Sequence, residues 1–233
     1  MMGIHERKER EKEHRREEIL NAAQKVFFEK GLQSATMDEI ADAAELSKGT
    51  LYLYYNSKED LYLAVMMRGF DVLHDMLDET IGKSLSTVET LWALVKTYME
   101  FSQKHANYFR MFHFFQNPSL HRQVSEEMMT TCNNRTQQLW SVVTEVFRKG
   151  IKEKQLRSDL NPVECAVILW SSSDAILTRM DFEYERWKQQ LNVDLAQVFF
   201  KSNALLLQSM LTEKAEKQYS PVFESETTSQ ISA

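Results

Sequence analysis

An all-α fold is predicted for this 233-residue chain by three features of its sequence. Only 6 glycines and 3 prolines interrupt it, too few for the turns of a β-rich chain. Hydrophobic residues make up 43% of it, enough for a sizeable core. Capping side chains recur just ahead of stretches whose apolar residues repeat every three or four positions. About nine helices are expected.

The first helix is expected from Arg15, or earlier, to Lys30. Ile19, Ala23, Val26 and Phe27 share one face, and Gly31 is a stop signal. Thr36 opens "TMDE", a capping box completed by Glu39, ahead of a short helix over about 37–44. Ser47 caps a third helix ending near Tyr54 or Tyr55. Ser57, in "SKED", opens a long fourth helix to about Ile81. Ser86 with Glu89 caps a fifth helix over about 87–104, and a short sixth covers about 107–115. Asn117-Pro118 starts a seventh, to about residue 152, and Asn161-Pro162 an eighth, to about 181. Residues 182–191 read as a connector, with a helical form as the alternative, and a ninth helix runs over about 193–216. The domains expected are 1–57, with residues 1–14 a charged extension, and 58–217. The polar stretch 218–233 is expected to be a disordered tail.

The opening "MMGIHERKEREKEHRREE" has no apolar segment of a secretory signal, and no run of about 18 apolar residues exists. Cys132 and Cys165 stand far apart, which fits a reducing compartment without a disulfide framework. A cytoplasmic protein with no membrane partner is expected. The net charge of −6 gives no hint of nucleic acid, but its distribution does. Residues 1–16 hold six basic and four acidic side chains, and residues 17–45 two basic and seven acidic. Residues 46–58 hold two basic and none acidic. Any nucleic-acid contact must therefore come from local patches.

The second and third helices are short and about three residues apart, which is helix-turn-helix spacing. On a wheel of about 100° per residue, Leu51 and Tyr55 face inward while Gly49, Thr50, Tyr52 and Leu53 face outward. That outer face suits a major-groove reader. Gly49 allows close approach, Thr50 can hydrogen-bond a base edge, and Leu53 can meet a thymine methyl. Lys48, Tyr52, Tyr54 and Lys58 reach toward phosphates, as do the free amides behind Thr36 and Ser47. Tyr55 and Tyr62 are expected in the core. The run "ERKEREKEHRRE" reads as a frayed helical extension laced with i,i+4 pairs rather than a minor-groove arm. Lys12, Arg15 and Arg16 are candidates for a phosphate contact.

The segment "ATMDEIADAAELSKGTLYLYYNSKEDL", Ala35 to Leu61, resembles the TetR/AcrR family of transcriptional regulators, as does "ILNAAQKVFFEKG", Ile19 to Gly31. The resemblance covers about a quarter of the chain. It implies a homodimer, each subunit with an N-terminal three-helix DNA-binding domain and a larger C-terminal helical domain that binds a small inducer and dimerises. Double-stranded, palindromic operator DNA would be the partner. Two residues depart from the family pattern. Glu45 stands where glycine is usual, so either the turn is not left-handed or Glu45 bears strain of about 1–2 kcal/mol. Tyr55 replaces phenylalanine.

Expectations for the C-terminal domain follow from side-chain type. An apolar or aromatic ligand, or a fatty chain, would meet Trp92, Tyr98, Phe101, Phe109, Phe112, Met128 and Trp170. His113, Asn133, Gln137 and Asp174 would supply polar contacts. Asp174 could contact a cationic ligand, cap a pocket, or pair with Arg179 across a dimer. Ser171, Ser172 and Ala175 would meet Val198, Ser202, Leu205, Leu206 and Ser209 in a four-helix dimer interface. His105, His113 and His121 recur without a metal-site signature, and no cofactor, metal site or catalytic constellation is expected. The reading is a ligand-released repressor that is not an enzyme. Its rivals are an activator and a helical sensor or carrier without DNA binding.

Overall fold

Caps and left-handed residues decide where the helices begin and end. The computed structural model describes residues 4–229, with eleven helices and no strand among them. In chain order these are α1 (Ile4–Ser34), α2 (Met37–Ala43), α3 (Lys48–Tyr52), α4 (Lys58–Ile81), α5 (Thr87–Lys104) and α6 (Ala106–Phe115). They continue with α7 (Pro118–His121), α8 (Glu126–Lys152), α9 (Pro162–Leu191), α10 (Leu195–Met210) and α11 (Glu213–Ser229). The all-α expectation holds, with two helices more than expected.

Each difference has a local cause. The helix expected over 118–152 is two, because the chain restarts at Ser125, whose Oγ accepts from the Met128 amide at 3.3 Å. The connector 182–191 is the last part of α9, held by Trp187 Nε1 donating to Glu183 at 2.8 Å and Gln189 to Glu185 at 2.9 Å. It stops at Asn192, which is left-handed at φ 52. The helix expected over 193–216 breaks at Leu211, which pairs with Leu156 in an isolated antiparallel bridge. Arg157 N donates to Met210 O and Thr212 N to Gln155 O, both at 3.0 Å. The expected disordered tail is helical through Ser229. Residues 1–3 of the extension and 230–233 of the tail lie outside the described residues.

The chain forms two units. One comprises residues through Val72 with His105–Thr136, the other Leu73–Lys104 with the residues from Gln137 onward. In the first, Ile19, Ala23 and Phe27 of α1, Ile40 of α2, Leu51 of α3 and Leu61 of α4 are buried. Each large side chain among them contributes about 1.5–3 kcal/mol. Phe27 meets Tyr62 edge-on at 5.1 Å, and Tyr62 meets Phe114 at 5.8 Å. A Cβ added to Gly69 of α4 would lie 2.8 Å from the Tyr108 side chain, so glycine permits the close passage of α4 and α6. Arg68 joins α4 to α1, donating to Glu17 at 2.6 Å, Asn21 at 2.9 Å and Gln24 at 3.0 Å.

In the second unit α5, α9, α10 and α11 share a core. Trp92 lies 5.9 Å from Phe200 and 5.0 Å from Phe223. A buried polar pair crosses from α9 to α10, Ser173 Oγ donating to Asn203 Oδ1 at 2.8 Å. Asn203 Nδ2 in turn donates to Phe199 O at 2.9 Å, so neither buried group is left unsatisfied.

Candidate nucleic-acid interface

Helix α2 is fixed at its start by the expected capping box. Thr36 Oγ1 accepts from Glu39 N at 3.2 Å, and Glu39 Oε2 accepts from Thr36 N at 3.0 Å. The other oxygen of that carboxylate takes Lys30 Nζ at 2.6 Å. The ion pair with Lys30 and the bonds from Thr36 hold the Glu39 carboxyl below its usual range. Met37, Ile40 and Ala41 turn inward, anchoring the helix.

The turn to α3 reverses at Glu45, which is left-handed at φ 54. The backbone therefore keeps the turn in which the family pattern places glycine, with a Cβ present. Leu46 N closes it by donating to Ala41 O at 2.9 Å. Ser47 then caps α3, its Oγ accepting from Thr50 N at 3.1 Å and lying 2.8 Å from Thr50 Oγ1.

Leu51 is fully buried and Tyr55 nearly so, which clamps the inner side of α3. Burial pushes the Tyr55 hydroxyl up to about 12, with the charges of Arg16 and Arg68 acting against that rise. Outside, Lys48 and Gly49 are exposed, Thr50 is half-exposed, Tyr52 is 45% exposed and Leu53 82%. A Cβ added at Gly49 would meet only Ser47 Oγ, at 3.8 Å. Nothing inside the chain requires glycine there. Tyr54 is half-buried.

The two lysines of the site are engaged. Lys48 Nζ pairs with Asp38 at 2.8 Å, which raises the lysine's pKa, and Lys58 Nζ donates to Ala35 O at 2.9 Å. Lys58 thus ties the start of α4 to the loop before α2. Asp60 is 2% exposed and accepts from Ser125 N at 2.8 Å, fastening α4 to the segment that starts α8. Sequence reasoning missed Asp60 and Arg68. An acid on the apolar side of α4 and an arginine opposite the Glu17–Gln24 face were the available signals.

The expected ligand residues fall in both units. In the first, Phe109 is buried and meets His113 edge-on at 4.5 Å, and Phe112 stacks on Phe70 at 4.4 Å. Met128 is half-buried and Asn133 exposed. In the second, Trp92 and Phe101 are buried and Gln137 is exposed. Tyr98 OH donates to Asp174 Oδ1 at 2.7 Å, and Trp170 hydrogen-bonds the same hydroxyl while meeting Trp140 at 5.2 Å. Burial first, then Asp174, raises the Tyr98 hydroxyl well above its ordinary range. An open groove of about 710 Å³ lies elsewhere in this unit, between Arg157, Asp159, Leu205 and Glu216.

Ser171, Ala175, Val198, Leu205 and Ser209 are exposed on α9 and α10, while Ser172, Ser202 and Leu206 are half-buried. Val167, Ile168 and Trp170 extend that apolar face. Among the described residues, no trio of His, Cys, Asp or Glu is placed to hold a metal, and no helix is long and apolar enough to cross a membrane.

Comparison with known proteins agrees with this geometry. Residues 19–65 match the family model for bacterial regulatory proteins of the tetR family. The chain is 32% identical over 154 residues to the HTH-type transcriptional repressor KstR2 of Rhodococcus jostii, covering 64% of this chain and 72% of that protein. It is 35% identical over 100 residues to the HTH-type transcriptional activator FasR of Mycolicibacterium smegmatis, covering 43% of this chain and only 46% of FasR. FadR from Bacillus subtilis, solved in complex with stearoyl-CoA, shares the fold, with a TM-score of 0.63 at 17% identity over 82% of this chain and 96% of that one.

Proposed function

Since the chain belongs to the TetR family of bacterial regulatory proteins, we propose that it is a homodimeric repressor, released from a palindromic operator when a small apolar or aromatic ligand binds its C-terminal domain. The observation that carries this reading is the outer face of α3. Thr50, Tyr52 and Leu53 stand outward without an acid between them, on a helix clamped from behind by Leu51. Gly49 has no internal reason to be glycine, which suits a close approach to DNA.

Residues 1–57 read DNA, and residues 58–217 bind ligand and dimerise. Amides behind Thr36 and Ser47, with Lys48, Tyr54 and Lys58, hold phosphates. Lys48 exchanges Asp38 for a phosphate on binding. The exposed faces of α9 and α10 meet their counterparts in the second subunit. A ligand with higher affinity for one setting of α4 changes the spacing of the two α3 helices and so releases DNA. KstR2 favours repression, because the likeness to it spans 72% of that protein. Activation is the second reading, favoured by the 35% identity to FasR over 100 residues. The stearoyl-CoA in FadR supports a ligand with a long apolar portion. The protein acts in the cytoplasm and is not an enzyme.

A mobility-shift titration on the DNA upstream of its own gene tests the reading. Thr50→Ala with Tyr52→Ala is expected to weaken selective binding at least about tenfold. Binding that survives the double substitution and ignores sequence would remove the basis for it. A thermal-shift screen of fatty acyl chains, aromatics and cationic drugs locates the ligand class, since a ligand of the folded state raises its stability.

A further inference from the structure

Helix α1 overhangs its own domain, and the side of the overhang that continues the buried face is basic. Residues 5–16 are all exposed, and the helix is continuous from Ile4 to Lys30. At about 100° per residue, Lys8, Lys12, Arg15 and Arg16 lie within about 60° of Ile19, the centre of the buried face. No acid shares that sector. Glu9, Glu11 and Glu13 lie about 80° or more away. An amphipathic helix extended over its own core would carry apolar residues at these positions, and this one carries cations.

Ion pairs stiffen the other faces. Arg7 pairs with Glu11 at 2.9 Å, and His14 with Glu18 at 3.3 Å. Within the basic sector Arg15 is paired with Glu18 at 2.8 Å. Among the described residues, Lys8 and Lys12 form no ion pair. The overhang begins beside the end of the reading motif, since the charges of Arg16 and Glu13 both reach the Tyr55 hydroxyl.

Resting on the regulator reading above, we propose that Lys8, Lys12 and the neighbouring arginines form a second DNA contact, a rigid rail on the phosphates flanking each operator half-site. The rail from Lys8 to Arg16 is about 12 Å long at about 1.5 Å per residue. That length matches about three to four base pairs at about 3.4 Å each. DNA fits better than an acidic protein, because the basic sector lies on the side of α1 that packs on the head carrying α3. Contact there is with phosphates, so it adds affinity and salt dependence but no sequence preference.

The test uses the full chain and two duplexes cut from the upstream DNA that the wild type protects: the two half-sites alone, and the half-sites with about six further base pairs on each side. Lys8→Gln with Lys12→Gln preserves helix propensity. It is expected to bind the longer duplex at least about tenfold more weakly than the wild type, with a log-log salt slope shallower by about 2 to 4, since four cations are lost per dimer. Arg7→Gln with Arg10→Gln, outside the sector, is expected to leave both quantities within about twofold. An unchanged slope for the lysine variant would overturn the rail, and so would an equal loss in the arginine control, while leaving the regulator reading standing. Failure of the wild type to bind any upstream duplex would overturn both.

Discussion

At Glu45 the backbone adopts φ 54 with a side chain present, a conformation that costs an L-residue about 1–2 kcal/mol. Glu45→Gly is expected to stabilise the chain by about 0.5–1 kcal/mol, because glycine's greater unfolded entropy offsets part of the relief. A urea midpoint that moves upward with unchanged slope is the measure. Glu39 supplies a pH handle. Its carboxyl is held below 4.5 first by the Lys30 hydrogen bond and then by Thr36, so its stabilisation is complete above the unfolded value and fades as pH falls through the folded one. Glu39→Gln keeps a capping group but removes the charge. The variant is therefore expected to lose less stability than the wild type between pH 7 and pH 3.5, and parallel losses in both would contradict this. Gly49, Thr50, Leu51 and Tyr55 were legible from helical phase alone. The partners of Lys48 and Lys58 were not, because a four-carbon stem reaches Asp38 or the Ala35 carbonyl at sequence distances that no period marks.

At the scale of elements, caps made most helix starts readable: Thr36 with Glu39, Ser47, Asn117-Pro118 and Asn161-Pro162 all act as the sequence suggests. What stayed hidden depends on pairing at a distance. The break after α10 follows from the Leu156–Leu211 bridge, and α11 is anchored by Phe223 against Trp92. The joint between α4 and the start of α8 is of the same kind. Asp60→Ala leaves the Ser125 amide without its acceptor, and a loss of about 1–3 kcal/mol is expected. Hydrogen exchange localises the effect. Faster exchange at residues 125–132, with α5 amides unaffected, is the expected pattern, and uniform acceleration would assign Asp60 only a global role.

The whole molecule is expected to function as a pair. Leu205 is 59% exposed on α10, so Leu205→Glu should change the stability of a single subunit little while placing two carboxylates in the proposed subunit interface. Sedimentation is expected to show monomers at concentrations where the wild type is dimeric, with operator affinity falling at least about tenfold. A dimer that persists would move the interface elsewhere. Two identical reading heads also fix the spacing of what they read. The most direct measurement is a footprint of the wild-type chain on its own upstream DNA. The expected result is two sequence-related half-sites in inverted repeat, centred about one helical turn, 34–36 Å, or a multiple of it apart. Both should be lost in the Thr50→Ala, Tyr52→Ala variant. Uniform protection without sequence preference, or a footprint unchanged in that variant, would contradict a dimeric regulator that reads DNA through α3.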